Sequence, residues 1–151
     1  MLNYKNIVCA LNFDEHQDAV LKLGAALARE SDATLHLLHI ARIPFPDMDV
    51  PLPIGVKPRW EDESRGRIEA LIKRAGAQSV RYSIEIKSGV PDLDIVQIAA
   101  RLHADLIVIA THGRTGFQHL ALGSVAEQVI RHAECPVLVI RPRPPASASP
   151  T

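Results

Sequence analysis

Short apolar runs alternate with longer stretches of helical period along this chain, and that alternation restricts the fold more than any other feature. Residues 7–11 form the first run, the pattern of a strand buried on both faces. Asp14 then offers an N-cap with Gln17 three residues on, and Val20, Leu23, Gly24 and Leu27 recur at helical spacing, which predicts an amphipathic helix over 15–30. A second buried strand is expected over 34–40. A charged helix follows over 60–75, with Ile68, Leu71, Ile72 and Ala75 on its inner face and Gly76 at its end. Residues 80–86 alternate apolar and polar, as an outer strand does. Val90-Pro91-Asp92 opens a third helix whose core stripe is Ile95, Ile98, Ala99 and Leu102. Residues 105–110 form the most apolar strand, 124–133 the last helix and 136–140 the last strand.

Parallel neighbours need crossover connections, so this order calls for a doubly wound α/β fold. The expectation is a single open sheet of five mainly parallel strands with helices on both faces. With 151 residues, 47% of them hydrophobic, the chain can bury one ordinary core. It shows no internal repeat, and one domain is expected over 1–141. Pro44, Pro46, Pro51, Pro53 and Pro58 argue against regular structure in 43–58, which reads either as an exposed connection or as a lid or partner surface. The Pro-, Ser- and Ala-rich residues 142–151 are expected to form a disordered tail.

Seventeen basic and seventeen acidic side chains leave a formal net charge of zero, which points away from nucleic acid and anionic membranes as partners. No apolar run reaches the ~20 residues of a membrane helix, and the opening MLNYKNIV lacks the pattern of a signal peptide. A cytoplasmic location is expected by default. Cys9 and Cys135 are too few for a disulfide framework and read as free thiols, with a Cys9–Cys135 bridge as the open alternative.

In open α/β sheets, ligands bind beyond the carboxyl ends of the strands, where strand order reverses. The first and fourth strands are the expected neighbours there. Their ends carry Ala10 and Asn12 on one side and Ala110 and Thr111 on the other. The chain then runs through His112, Gly113, Arg114 and Gly116 to Gly123 and Ser124. Gly113 and Gly116 let the backbone approach a ligand closely. The N–H groups of 123–125, ending at Val125, would form the start of a helix, a place that favours anions. The Ser124 hydroxyl and Arg114 can add hydrogen bonds to a phosphate. The alternative is that Ser124 and Glu127 form a capping box and nothing more.

Other chemistries fit less well. His36 and His39 point to opposite faces of their strand, and His112 and His119 have no cysteine or acid at ligand spacing, so no metal held by protein groups is expected. There is no Walker phosphate loop and no nucleophile elbow. Asp92 and Asp94 read as solvent-facing residues of a first helical turn.

The segment ATHGRTGFQHLALGSVAEQVIRHAECPVLVIR resembles the signature region of universal stress proteins of the ATP-binding type, Gly-x2-Gly-x9-Gly-Ser/Thr. Gly113, Gly123 and Ser124 match that pattern, and Ala110 stands at its first glycine. The resemblance covers residues 3–141 and includes Ser88-Gly89-Val90-Pro91 and DLIVIATHGRTG. It implies an adenine nucleotide alpha hydrolase-like fold and a bound ATP, with Mg2+ carried through the phosphates. Adenosine would lie near Asn12, where the family usually has aspartate, and near main-chain groups at Ile40. It further implies a homodimer through strand 136–140, with the prolines that follow Arg141 stopping further pairing. The function implied is a cytoplasmic stress-response protein acting as a nucleotide-dependent signalling or protective module, with a further protein partner still to be named. Two alternatives stand beside it: a dimeric interaction protein without nucleotide, and a slow ATPase or phosphotransferase. No general base or nucleophile stands out, so catalytic residues are not expected.

Overall fold

The strong apolar runs become the strands of one parallel sheet. The structure is a computed structural model that describes residues 2–14, 16–42, 54–55, 59–111 and 122–141. In chain order its elements are β1 (Asn6–Ala10), α1 (Gln17–Ser31), β2 (Thr34–Ala41), α2 (Arg59–Arg74), β3 (Tyr82–Ser88), α3 (Pro91–Arg101), β4 (Leu106–Ala110), α4 (Ser124–His132) and β5 (Val137–Ile140). The sheet order is β3-β2-β1-β4-β5, and every pairing is parallel. Strand order therefore reverses between β1 and β4, which are neighbours as expected, with Ile7 opposite Leu106 and Cys9 opposite Val108.

Side chains alternate across β1, and each set feeds its own core. Ile7, Cys9 and Leu11 pack under α1 and α2 with Val20, Leu21, Ile68 and Leu71. Val8 and Ala10 pack on the other face with Ile95 and Ile98 of α3 and Ala126 and Val129 of α4. Cys9 belongs to the first core and Cys135 to the second, and both thiols are free, so the bridge left open by the sequence is not formed. Burial raises the Cys9 thiol to about 12, and burial also raises that of Cys135.

Several local expectations need correction. The cap position of α1 is His16, not Asp14. Asp14 instead folds its carboxylate over the turn, where Oδ1 accepts from the His16 N–H at 2.9 Å and from Gln17 Nε2 at 3.2 Å. Ser124 and Glu127 do not form a capping box, because Gly123 holds the cap position and Ser124 is already helical. The Glu127 carboxylate pairs with Arg131 at 3.0 Å. β3 starts later than expected, because Val80 closes a turn onto Ala77 (N–H to O, 3.2 Å) and packs in the core. Asp94 does not face solvent: it is 7% exposed, accepts from the Val90 N–H at 2.8 Å and pairs with Lys87 at 2.7 Å. Among the described residues no helix is long and apolar enough to cross a membrane. Of the segment 43–58 only Ile54 and Gly55 are described, and the rest of it, like the expected tail 142–151, lies outside the described residues.

Candidate functional site

The carboxyl end of β1 continues through Leu11, whose N–H donates to the Leu38 carbonyl at 2.8 Å, to the exposed Asn12. The backbone then turns sharply. Phe13 has φ 56°, a region that bulky side chains rarely adopt. That turn sets the Phe13 ring against His39, with centroids 4.2 Å apart and planes at 40°. The guanidinium carbon of Arg67, from α2, lies 4.5 Å from the centre of the same Phe13 ring. His39 Nδ1 lies 2.8 Å from the Leu11 carbonyl and donates to it, which fixes the neutral tautomer. Burial lowers the His39 pKa from its ordinary value; the Leu11 carbonyl opposes this and the charge of Arg67 adds to it.

These groups form one side of a cleft of about 630 Å³ at the carboxyl edge of the sheet. Its walls come from residues 12–14 after β1, residues 39–42 at the end of β2, Arg67 of α2, Pro91 at the start of α3, and residues 123–126 at the start of α4. Gly123 has φ −57° and ψ 158°, and among the described residues no side chain caps α4 there. The first N–H groups of a helix have no partner within it, so this end presents donors and a positive dipole to the cleft. Arg42 and Arg67 add two full charges, and among the described residues no carboxylate pairs with either. The Asp14 carboxylate is turned to His16 and Gln17, as described. The lining is therefore suited to an anionic ligand.

Asn12, Ile40, Gly123, Ser124 and Val125 all line this cleft. Ile40 is 6% exposed with its side chain in the core, which suits the main-chain role expected of it. Ala10 is a core residue under α3 and α4, and neither it, Ala110 nor Thr111 lines the cleft. Thr111 is committed to β5, since its N–H and its hydroxyl both donate to the Ile140 carbonyl, at 2.9 and 3.4 Å. Gly113, Arg114 and Gly116, with His112 and His119, lie outside the described residues. Arg42, Arg67 and the ring of His39 also line the cleft or its wall and were not assigned to a ligand site by sequence reasoning. Arg67 sits next to the core residue Ile68 on a highly charged helix, and nothing local distinguishes it from its neighbours. Among the described residues no three His, Cys, Asp or Glu side chains converge as metal ligands.

The model of the universal stress protein family matches residues 3–141. Universal stress protein MJ0531 of Methanocaldococcus jannaschii is 34% identical over 146 residues, spanning 91% of this chain and 82% of its own length. Protein MJ0577 of the same organism has a solved structure that superposes with a TM-score of 0.73 at 24% identity, covering 95% of this chain and 99% of that one. A universal stress protein from Archaeoglobus fulgidus, solved in complex with dAMP, superposes with a TM-score of 0.65 at 21% identity, covering 91% of this chain and 98% of that one.

Proposed function

This chain belongs to the universal stress protein family, and from that premise we propose that it binds ATP or a close adenine nucleotide and acts as a nucleotide-dependent signalling or protective module. The observation that carries the proposal is the uncapped N-terminus of α4 opening on a cleft that also holds two arginines without carboxylate partners among the described residues. The 5′ phosphates would rest on the N–H groups of 123–125 and the Ser124 hydroxyl. Gly113, Arg114 and Gly116, after Ala110 and Thr111, would complete the cradle. Adenosine would lie by Asn12, whose amide can both donate and accept, and by main-chain groups at Ile40. The dAMP bound by the Archaeoglobus fulgidus protein supports an adenine nucleotide as the ligand class. Magnesium would arrive held by the phosphates.

These are binding roles. His39 is held through Nδ1 by the Leu11 carbonyl, and Asp14 Oδ1 already takes two donors, so neither is assigned a catalytic task. The protein would act in the cytoplasm as a homodimer through β5, signalling to a protein partner.

The thermal midpoint of the purified protein, with and without excess Mg-ATP, tests the reading. A ligand at about 100 times its dissociation constant stabilises a fold by about 2.7 kcal/mol, an upward shift of several degrees for a chain of this size. ATP should give that shift, GTP should not, and Gly113→Val should abolish it. No shift at millimolar ATP, with no nucleotide released when the protein is unfolded, would reject the proposal in favour of an interaction protein of the same fold.

A further inference from the structure

The cleft is cationic at two places, and these stand on opposite faces of the sheet. One is the α4 N-terminus, on the face covered by α3 and α4. The other is Arg67, on α2 and the opposite face, with Arg42 just past the end of β2. Arg67 is held in place by a stack: its guanidinium lies over Phe13, and Phe13 lies against His39. The stack depends on the positive φ of Phe13, a conformation that persists only where the surroundings enforce it and that clusters at functional sites. Stacking occupies the face of a guanidinium and leaves its N–H edge free to grip an anion. The strand end between the two cationic places carries Asn12, which is neutral.

In nucleotide-binding sheets, an acid near a strand end hydrogen-bonds ribose hydroxyls, whereas an arginine there accommodates a phosphate on the ribose. This cleft holds Arg42 just past the end of β2 and Arg67 of α2, while the carboxylate among its described lining residues, Asp14, is turned to His16 and Gln17. A phosphate chain seated on α4 leaves Arg67 and Arg42 facing the nucleoside end of the ligand, and among the described residues no carboxylate pairs with either. Resting on the adenine-nucleotide reading, we propose that the site selects adenine nucleotides phosphorylated on the ribose as well as at the 5′ position. The 5′ group binds residues 123–125, and the 2′ or 3′ phosphate binds Arg67 with help from Arg42. Arg67 is then the residue that sets specificity.

Calorimetric titration of the full chain with three isomers tests this: ADP, adenosine 3′,5′-bisphosphate and adenosine 2′,5′-bisphosphate. All three carry the same base and two phosphate groups, placed differently. At least one bisphosphate should bind tenfold or more tighter than ADP. Arg67→Gln should remove that preference by weakening the favoured bisphosphate tenfold or more, the scale of a lost charge-assisted contact, and should weaken ADP by distinctly less. Arg42→Gln should reduce the preference in part. Unliganded thermal midpoints of both variants should match the parent, because both side chains are exposed. ADP binding as tightly as both bisphosphates, or Arg67→Gln weakening all three equally, would overturn the inference while leaving adenine-nucleotide binding intact. Failure of all three to bind would overturn both.

Discussion

At Gly24, α1 packs tightly against the sheet. A Cβ at that position would run into Cys9 Sγ and approach Leu35 Cδ1 to 3.2 Å. Cys9 and Leu35 are both fully buried, so neither can swing into solvent to make room. Two effects then oppose each other in Gly24→Ala. Alanine gains about 1 kcal/mol over glycine inside a helix. Overpacking a tight core costs about 1–3 kcal/mol. The second should win, giving a net loss of about 1 kcal/mol or more, read as a lower urea midpoint with an unchanged slope. The sign should reverse when the obstacle is removed: in a Cys9→Ala background, Gly24→Ala should be neutral or stabilising, since residues in contact do not contribute independently. A loss of the same size in both backgrounds would show that Cys9 is not what Gly24 makes room for. The sequence placed Gly24 on the inner stripe of its helix, but the need for glycine there depends on which strand lies beneath, and that is a tertiary fact. The same holds for Arg67 and Phe13, whose contact joins residues far apart in the chain.

At the scale of elements, the start of α3 shows how a cap can escape local reading. Pro91 at the first turn correctly marked the start of the helix. Its neighbouring acids looked alike in sequence, yet only Asp94 is buried. Asp94 Oδ2 accepts the Val90 N–H, one of the donors a helix start leaves without a partner, and Oδ1 takes Lys87 from the end of β3. The bend at Gly89 makes room for this carboxylate, because a Cβ there would run into Oδ2. Asp94 therefore ties β3 to α3 and fixes the position of Pro91 on the cleft wall. Asp94→Ala should destabilise the fold by about 1–3 kcal/mol, the scale for leaving a buried donor unsatisfied, whereas Asp92→Ala should change it by no more than about 0.5 kcal/mol. Chemical denaturation of the two variants side by side makes the comparison. Equal effects would mean that Asp94 acts only as a first-turn acid. The elements themselves were legible because their periods are strong: the apolar runs and helical stripes gave every strand and helix in order. The misplaced features, the cap of α1 at Asp14 and the start of β3 at Val80, lie where capping and turn geometry decide, and several local conformations satisfy the same residues there.

For the whole molecule, the alternation of strands and helices led to a doubly wound sheet, and the β1–β4 reversal located the cleft. The same topology leaves β5 at an edge, paired with β4 on one side, and among the described residues no strand pairs with its other side. The backbone contacts show which groups face outward. Carbonyls of Pro136 and Ile140 accept from Ile107 on β4 and from Thr111 just past its end, at 3.0 and 2.9 Å. Backbone groups alternate sides along a strand, so those of Val137 and Val139 point to the open edge. Leu138 is 37% exposed on β5 and Ile130 43% on α4, which adds apolar surface near that edge. An apolar edge with free donors is a template for a second strand, and a second copy of this chain can satisfy it with twofold symmetry. The protein is expected to sediment as a dimer at micromolar concentration. Val139→Pro is the informative variant, because proline removes an outward donor and leaves the ladder to β4 in place. It should sediment as a monomer that keeps the far-ultraviolet circular dichroism of the parent. A parent that is monomeric at every concentration would refute pairing through β5. A Val139→Pro variant that stays dimeric would place the contact on another surface.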